Sequence, residues 1–395
     1  MAIETAFSSE TVDIGPLQSV VDSLLTEAVE ERVFPGGLLS ISRDGKLLCR
    51  SWKGTLAFSE GSEGSSVAND SVYDVDGLTG CFITVPLLVQ AVSRGKCALD
   101  ERISRYVQNF GVHNKSGITI RQVLNHSSGL KPSIPFHSEL EREEGLDARQ
   151  ILMRGIGGKN LVYNRINRSK LRGVPGEQQV YSEIGMILLG NLLESLTGKP
   201  LEQLAIDQIF KPLQLSSSAF ISLDLLRKGR VVPDVERVAP SEFCHWRKKA
   251  LVAEVRDETT WIMGGASGQA GLFSSADDLD QLTGEFVRAF HGESSLLDRE
   301  VFRSFVEPDS SFPQGWRLGW ASPSNAFRLE IPPEVDAQSV AASGFTGCAS
   351  WIHLPSRTTI VLLSNRTMPS RSNKRFLQFL PKAMKSVGEQ LGLLQ

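Results

Sequence analysis

Strand-like segments lie at both ends of this chain, and a mostly helical stretch from about residue 80 to 310 separates them. Gly37–Ser42 and Lys46–Trp52 are apolar-rich runs joined by Arg43-Asp44-Gly45, and Asp-Gly between two such runs predicts a hairpin. Ala349–Leu354 and Thr359–Leu363 form a second such pair around Pro355-Ser356-Arg357. Leu17, Val20, Val21, Leu24, Leu25 and Ala28 recur every three or four residues and predict a helix before the first pair. A last helix is predicted from Arg375 to about Leu391, with Pro381 as a point of bend. Between the strand pairs, Phe82–Val92, Arg121–Leu124, Ile184–Leu196 and Leu201–Ile209 have helical spacing, and residues 59–70 read as an exposed loop. Distant strands that must share a sheet predict one α/β (α+β) domain over 1–395. Its sheet subdomain takes about 15–75 and 315–395, and a helical subdomain takes about 76–314.

Composition narrows the class. With 41% hydrophobic and 22% charged residues the chain is globular, and no apolar run approaches the roughly 18 residues of a membrane span. Forty-two basic against 45 acidic residues, with no long run of either sign, argue against nucleic acid as a partner. Trp246-Arg247-Lys248-Lys249 reads as a solvated loop. Five scattered cysteines, Cys49, Cys81, Cys97, Cys244 and Cys348, form no CxxC and predict free thiols. No secretory signal is read in Met1–Gly15, so the expected location is cytoplasmic. The histidines are isolated, and Gly264-Gly265 lacks the spacing of a phosphate cradle, so neither metal nor cofactor is expected.

Five blocks, in order, carry a family resemblance. They are Phe34-Pro35-Gly36-Gly37; Ile118 to Leu130, containing His126-Ser127-Ser128-Gly129-Leu130; and Pro175-Gly176-Glu177 with Tyr181-Ser182-Glu183. Gly264 to Leu279 and Gly344-Phe345-Thr346-Gly347 with Trp351 complete the series. Together they resemble the serine β-lactamase and penicillin-binding-protein-like hydrolases, especially the class C and esterase-like branch. The resemblance implies a β-lactamase/transpeptidase-like fold, with an antiparallel sheet flanked by terminal helices.

It also implies three catalytic elements. The S-x-x-K pair, a nucleophile and a lysine one helical turn later, falls on Tyr73-Asp74-Val75-Asp76-Gly77-Leu78-Thr79-Gly80-Cys81-Phe82, where relatives read roughly F-x-x-A-S-L-T-K-x-F. Gly77 and Gly80 stand at the serine and lysine positions. The Y-x-N element reads Tyr181-Ser182-Glu183, keeping the tyrosine. The K-T-G or H-T-G element reads Ala342-Ser343-Gly344, losing the cation or imidazole. Two literal S-x-x-K matches, at Ser93 and Ser128, fall at a helix end and in a turn.

The leading expectation is therefore an inactive relative with a wide, uncharged cleft floor. That cleft is lined by Tyr181, Gly77, Gly80, Ala342, Thr79, Cys81, Glu183, Ser343 and Gly344. Its ligand would be a small molecule or peptide, such as a peptidoglycan-like fragment or an ester, and self-association of the chain is left open. The alternative is an active hydrolase (an esterase, D-aminopeptidase, carboxypeptidase or β-lactamase-like enzyme) using another nucleophile such as Cys81.

Overall fold

A computed structural model describes residues 14–58, 65–152, 156–230, 234–312 and 315–394. Helix α1 (Ile14–Glu30) leads into strands β1 (Gly36–Arg43) and β2 (Lys46–Gly54). Asp44 and Gly45 both take positive φ, 54° and 71°, the geometry of a tight two-residue hairpin turn. Strands β3 (Ser339–Ser343), β4 (Ala349–His353) and β5 (Thr358–Ser364) complete one antiparallel sheet in the order β2-β1-β5-β4-β3. The two ends of the chain thus meet at the β1–β5 pairing, where Leu39 faces Leu362 and Ile41 faces Ile360.

Alternation along these strands loads both faces of the sheet. Leu39, Ile41, Trp351, Ile360 and Leu362 pack under α1 and the last helix, α5 (Phe376–Gln390), through Val21, Leu25, Ala383, Met384 and Val387. Pro381 lies inside α5 without ending it. Leu38, Val340, Ile352, Val361 and Leu363 face the opposite way, into the core of the helical block. There they join α2 (Val85–Ser93), α3 (Glu183–Thr197) and α4 (Ala276–His291), with Phe82, Phe286 and Trp320 in mutual ring contact.

Three sequence expectations change. The Phe82–Val92 helix begins earlier, as a π-helical turn over Gly80–Thr84 that runs on into α2. Strand β3 was not visible as an apolar run, because Ser339-Val340-Ala341-Ala342-Ser343 is built of small residues at the sheet edge. Arg247 is not solvated: it is buried, donates to Glu254 and Val255, and stacks on Trp261. Of the predicted 59–70 loop, residues 59–64 lie outside the described residues, while Val67 is buried. All five cysteines are free and buried. Among the described residues no helix is long and apolar enough to cross a membrane.

Candidate active-site cleft

The segment leading into α2, the start of α3, the end of β3 and the first turns of α5 converge on one cavity of about 450 Å³. Gly77, Gly80, Cys81, Tyr181, Glu183, Ala342, Ser343 and Gly344 line it, with Asp76, His126, Gln269, Trp316 and Arg366. Local sequence explains each approach. Ser182 caps α3, accepting from the Gly185 amide at 3.0 Å while its hydroxyl donates to the Lys131 carbonyl, which fixes Tyr181 and Glu183 at the helix entry. Gly344 packs where a Cβ would stand 2.8 Å from the Val75 carbonyl, so the turn after β3 lies directly against the floor segment. Ser343 Oγ donates to the Ala326 carbonyl at 3.4 Å.

The two glycines of the floor differ. A Cβ built at Gly77 would meet only ordinary contacts, the Ser343 carbonyl at 3.8 Å and Tyr181 Oη at 3.9 Å, so a side chain there would face the cleft unobstructed. A Cβ at Gly80 would lie 2.8 Å from Met186 Cε. The Met186 thioether thus fills the space into which a lysine would extend.

Asp76 is the residue that the sequence reading missed. It stands where the relatives' segment carries alanine, directly before Gly77, and its φ is 49°. Its carboxylate accepts from the Phe345 amide at 2.7 Å, from the Gly77 amide and from Arg256 Nη2 at 2.9 Å. Burial alone would raise this carboxyl, but the Arg256 charge and the three donors hold it below the ordinary carboxylate range. Two backbone amides from adjoining segments of a cleft, shared by one carboxylate, are the kind of arrangement that stabilises an oxyanion in acyl transfer. Here a permanent anion already occupies them.

The floor is therefore charged, which corrects the expectation of an uncharged one. Asp74 sits behind Asp76, accepting from the Arg256 and Asp76 amides at 2.7 and 3.0 Å, and burial with the Asp76 charge pushes it up to about 7. Burial and the charges of Asp257 and Asp76 push Glu183 up to about 7 as well. Arg256 and Arg366 stack on Phe345, at 4.7 and 4.4 Å from the ring centre.

The remaining candidates are restrained. Tyr181 as a whole residue is 37% exposed, yet burial of its hydroxyl and the nearby Glu183 and Asp76 charges hold the phenol well above 10. His126 packs against both Tyr181 and Trp316, with centroids at 4.8 and 4.7 Å; its Nδ1 accepts from the Ser182 amide, and burial lowers it to about 3. Cys81 borders the cavity, but its thiol donates to the Gly319 carbonyl at 3.1 Å and burial pushes it up to about 12. Thr79 does not line the cleft, contrary to expectation. It is fully buried, donating to the Asp76 carbonyl and accepting from the Leu272 amide, because one residue turns a helical side chain by about 100°. Ser93 is bonded to Gln90 at the end of α2, and Ser128 is buried in its turn. Away from the cleft, Glu242, Cys244 and Glu258 converge within 4.8 Å, but the Arg371 guanidinium bridges the two carboxylates.

A family model described as Beta-lactamase matches residues 21–380. An N-acetylmuramyl-L-alanine amidase of Bacillus subtilis is 28% identical over 353 residues, covering 84% of this chain and 77% of its own. A putative D-alanyl-D-alanine carboxypeptidase of Escherichia coli K12 is also 28% identical, over 84% of this chain and 79% of its own. Among solved structures, the hydrolase EstCE1, described as having promiscuous acyltransferase activity, superposes with a TM-score of 0.68 at 19% identity. It covers 94% of this chain and 99% of its own. An octameric penicillin-binding protein homologue from Pyrococcus abyssi gives 0.69 at 19% identity, over 96% and 78%. At that identity the superpositions establish the fold alone. With a family model spanning nearly the whole sequence and the cleft in place between sheet and helical block, the chain belongs to the Beta-lactamase family of hydrolase-fold proteins.

Proposed function

We propose that this chain is a catalytically inactive member of the family that keeps its cleft for binding a small molecule or a peptide. The observation that carries the reading is the Asp76 carboxylate seated on the Gly77 and Phe345 amides, beside a residue that has no side chain to attack with. A tetrahedral oxyanion would have to displace a buried, ion-paired carboxylate from those amides, and like charges cannot share the position. Deacylation chemistry is equally unsupported. Tyr181 is held protonated, the space of the lysine is filled by Met186, and Ala342 supplies neither cation nor imidazole.

The competing reading, an active hydrolase with Cys81 as substitute nucleophile, meets a thiol that is buried, bonded to a carbonyl and held far from ionisation. Peptidoglycan-like peptides and esters remain the ligand classes that the named relatives suggest. Five free thiols fit the reducing compartment expected from the sequence. Turnover assays with a chromogenic β-lactam and p-nitrophenyl acetate test the proposal. Hydrolysis should be no faster than in buffer. A rate proportional to protein concentration and abolished in Tyr181→Phe would contradict it.

A further inference from the structure

One cation of the cleft lacks a counter-ion of its own. Arg366, two residues beyond β5, is 6% exposed and lines the cavity. Its Nη1 donates to the Asn373 carbonyl at 3.0 Å, the one hydrogen bond of its side chain among the described residues. Nε and Nη2, which share the free edge of the guanidinium, have no partner there, and neither is sealed from solvent as Arg256 Nε is. Two charges act on the group, those of Arg256 and Asp76. Arg256 repels it, and Asp76 is already bonded to Arg256 and to two amides. Glu183, the other acid of the lining, is not among the charges that reach it. Buried charges in native folds are paired, so a free guanidinium edge beside a cavity marks the place of an anion.

The surface around that edge is apolar. The Arg366 guanidinium carbon lies 4.4 Å from the centre of the Phe345 ring and 5.8 Å from that of Phe376, and both residues line the cavity. Phe376 opens α5, and Leu377, Leu380 and Pro381 continue the lining along its first turns. The short helix Pro323–Phe327 packs against α5 and adds Phe327. Leu377 and Phe345 remain exposed, large apolar groups beside the same cavity. The Nε–Nη2 edge matches the two oxygens of a carboxylate, and the wall that begins at it matches an apolar tail.

We infer that this end of the cleft binds a monocarboxylic acid with an apolar tail, the carboxylate on Arg366 Nε and Nη2 and the tail along Phe376, Leu377, Leu380 and Phe327. The inference rests on the reading of the cleft as a ligand site and adds the chemistry of its occupant. An alcohol of the same length leaves the guanidinium without an anion, and an amine adds a like charge beside it.

Octanoate, 1-octanol and butyrate separate the head from the tail. Amide chemical-shift titrations at neutral pH should show octanoate binding about tenfold more tightly than 1-octanol. It should also bind at least about tenfold more tightly than butyrate, because each buried methylene contributes up to about fourfold. In Arg366→Gln the preference for the acid should vanish, while the alcohol's affinity stays within about twofold. A melting curve establishes that this variant folds; if it does not, the wild-type comparisons decide. Equal affinities of acid and alcohol, no gain from butyrate to octanoate, a preference that survives in folded Arg366→Gln, or no saturable shift with octanoate would overturn the inference. N-acetyl-D-alanyl-D-alanine, a carboxylate with a polar tail, should bind no more tightly than butyrate, and tighter binding would overturn the assignment of the tail. Acylation by a β-lactam would instead overturn the inactive reading and leave the preference for the acid standing, so the two failures are distinct.

Discussion

Replacing Asp76 by glycine should weaken the fold and open a binding place for a small anion. The Asp76 and Arg256 side chains are 4% and 8% exposed, Asp257 lies 4.0 Å from Arg256, and the Glu258 charge also acts on it. Removing one partner of a buried ion pair costs about 3–5 kcal/mol, because the surviving charge stays desolvated. Glycine returns about 1 kcal/mol, since Asp76 has a φ of 49° that a side chain disfavours. The net loss is about 2–4 kcal/mol, and it persists at neutral pH. A depressed carboxyl contributes stability above its unfolded pKa, near 3.8, and loses it only as pH falls through the lower folded value.

Formate is small enough to stand in for the missing carboxylate on the Gly77 and Phe345 amides and Arg256. At ten times its dissociation constant it should restore about 1.4 kcal/mol. The assay is thermal unfolding of wild type and Asp76→Gly in sodium formate and in sodium chloride at equal ionic strength. Formate should raise the variant's midpoint and leave the wild type unmoved. A variant as stable as the wild type, or equal responses of both proteins to formate, would refute the account of the occupied amides.

Restoring the missing side chains alone should not restore chemistry. Gly77→Ser with Gly80→Lys and Met186→Ala is expected to give no acylation by penicillin, whereas adding Asp76→Gly should produce a measurable adduct; equal reactivity of the two variants would contradict this. Glu183 should make stability depend on pH. Its folded pKa of about 7 exceeds the ordinary 4.5, so the stability it contributes is fully present below about 4.5 and lost as pH rises through 7. Denaturant titrations should show wild type losing up to about 3 kcal/mol relative to Glu183→Gln between pH 5 and 8, and a flat difference would refute it. Thiol titration should find five reactive thiols in denaturant and none reacting quickly in the native protein, since all five cysteines are buried. Rapid native alkylation of Cys81 would revive it as a nucleophile.

Much of this architecture is legible because alternation and turn chemistry are local signals. Asp44-Gly45 announces its hairpin, and β4 and β5 appear as apolar runs because both faces of the sheet are covered at their positions. Strand β3 escapes notice because its small residues satisfy sheet geometry through pairing with Ala349–His353 rather than through side-chain pattern. The vacancies at Gly77 and Gly80 were visible in the floor segment, as was the retained Tyr181. What fills those vacancies was not. Met186 lies more than a hundred positions from Gly80, and Arg256 is 180 from Asp76, so only folding reveals the contacts. A signal for Asp76 did exist: an acid directly before Gly77, where relatives carry alanine, is a third change in the same short segment.

Intact-mass measurement after incubation with excess penicillin tests the central claim most directly. Acylation requires an attacking oxygen or sulfur and a free pair of amides, and the floor of this cleft offers Gly77 and an occupied pair. The account predicts an unchanged mass at any ratio of penicillin to protein. A stoichiometric adduct, mapped by peptide analysis to Cys81 or to any residue of the cleft, would contradict it.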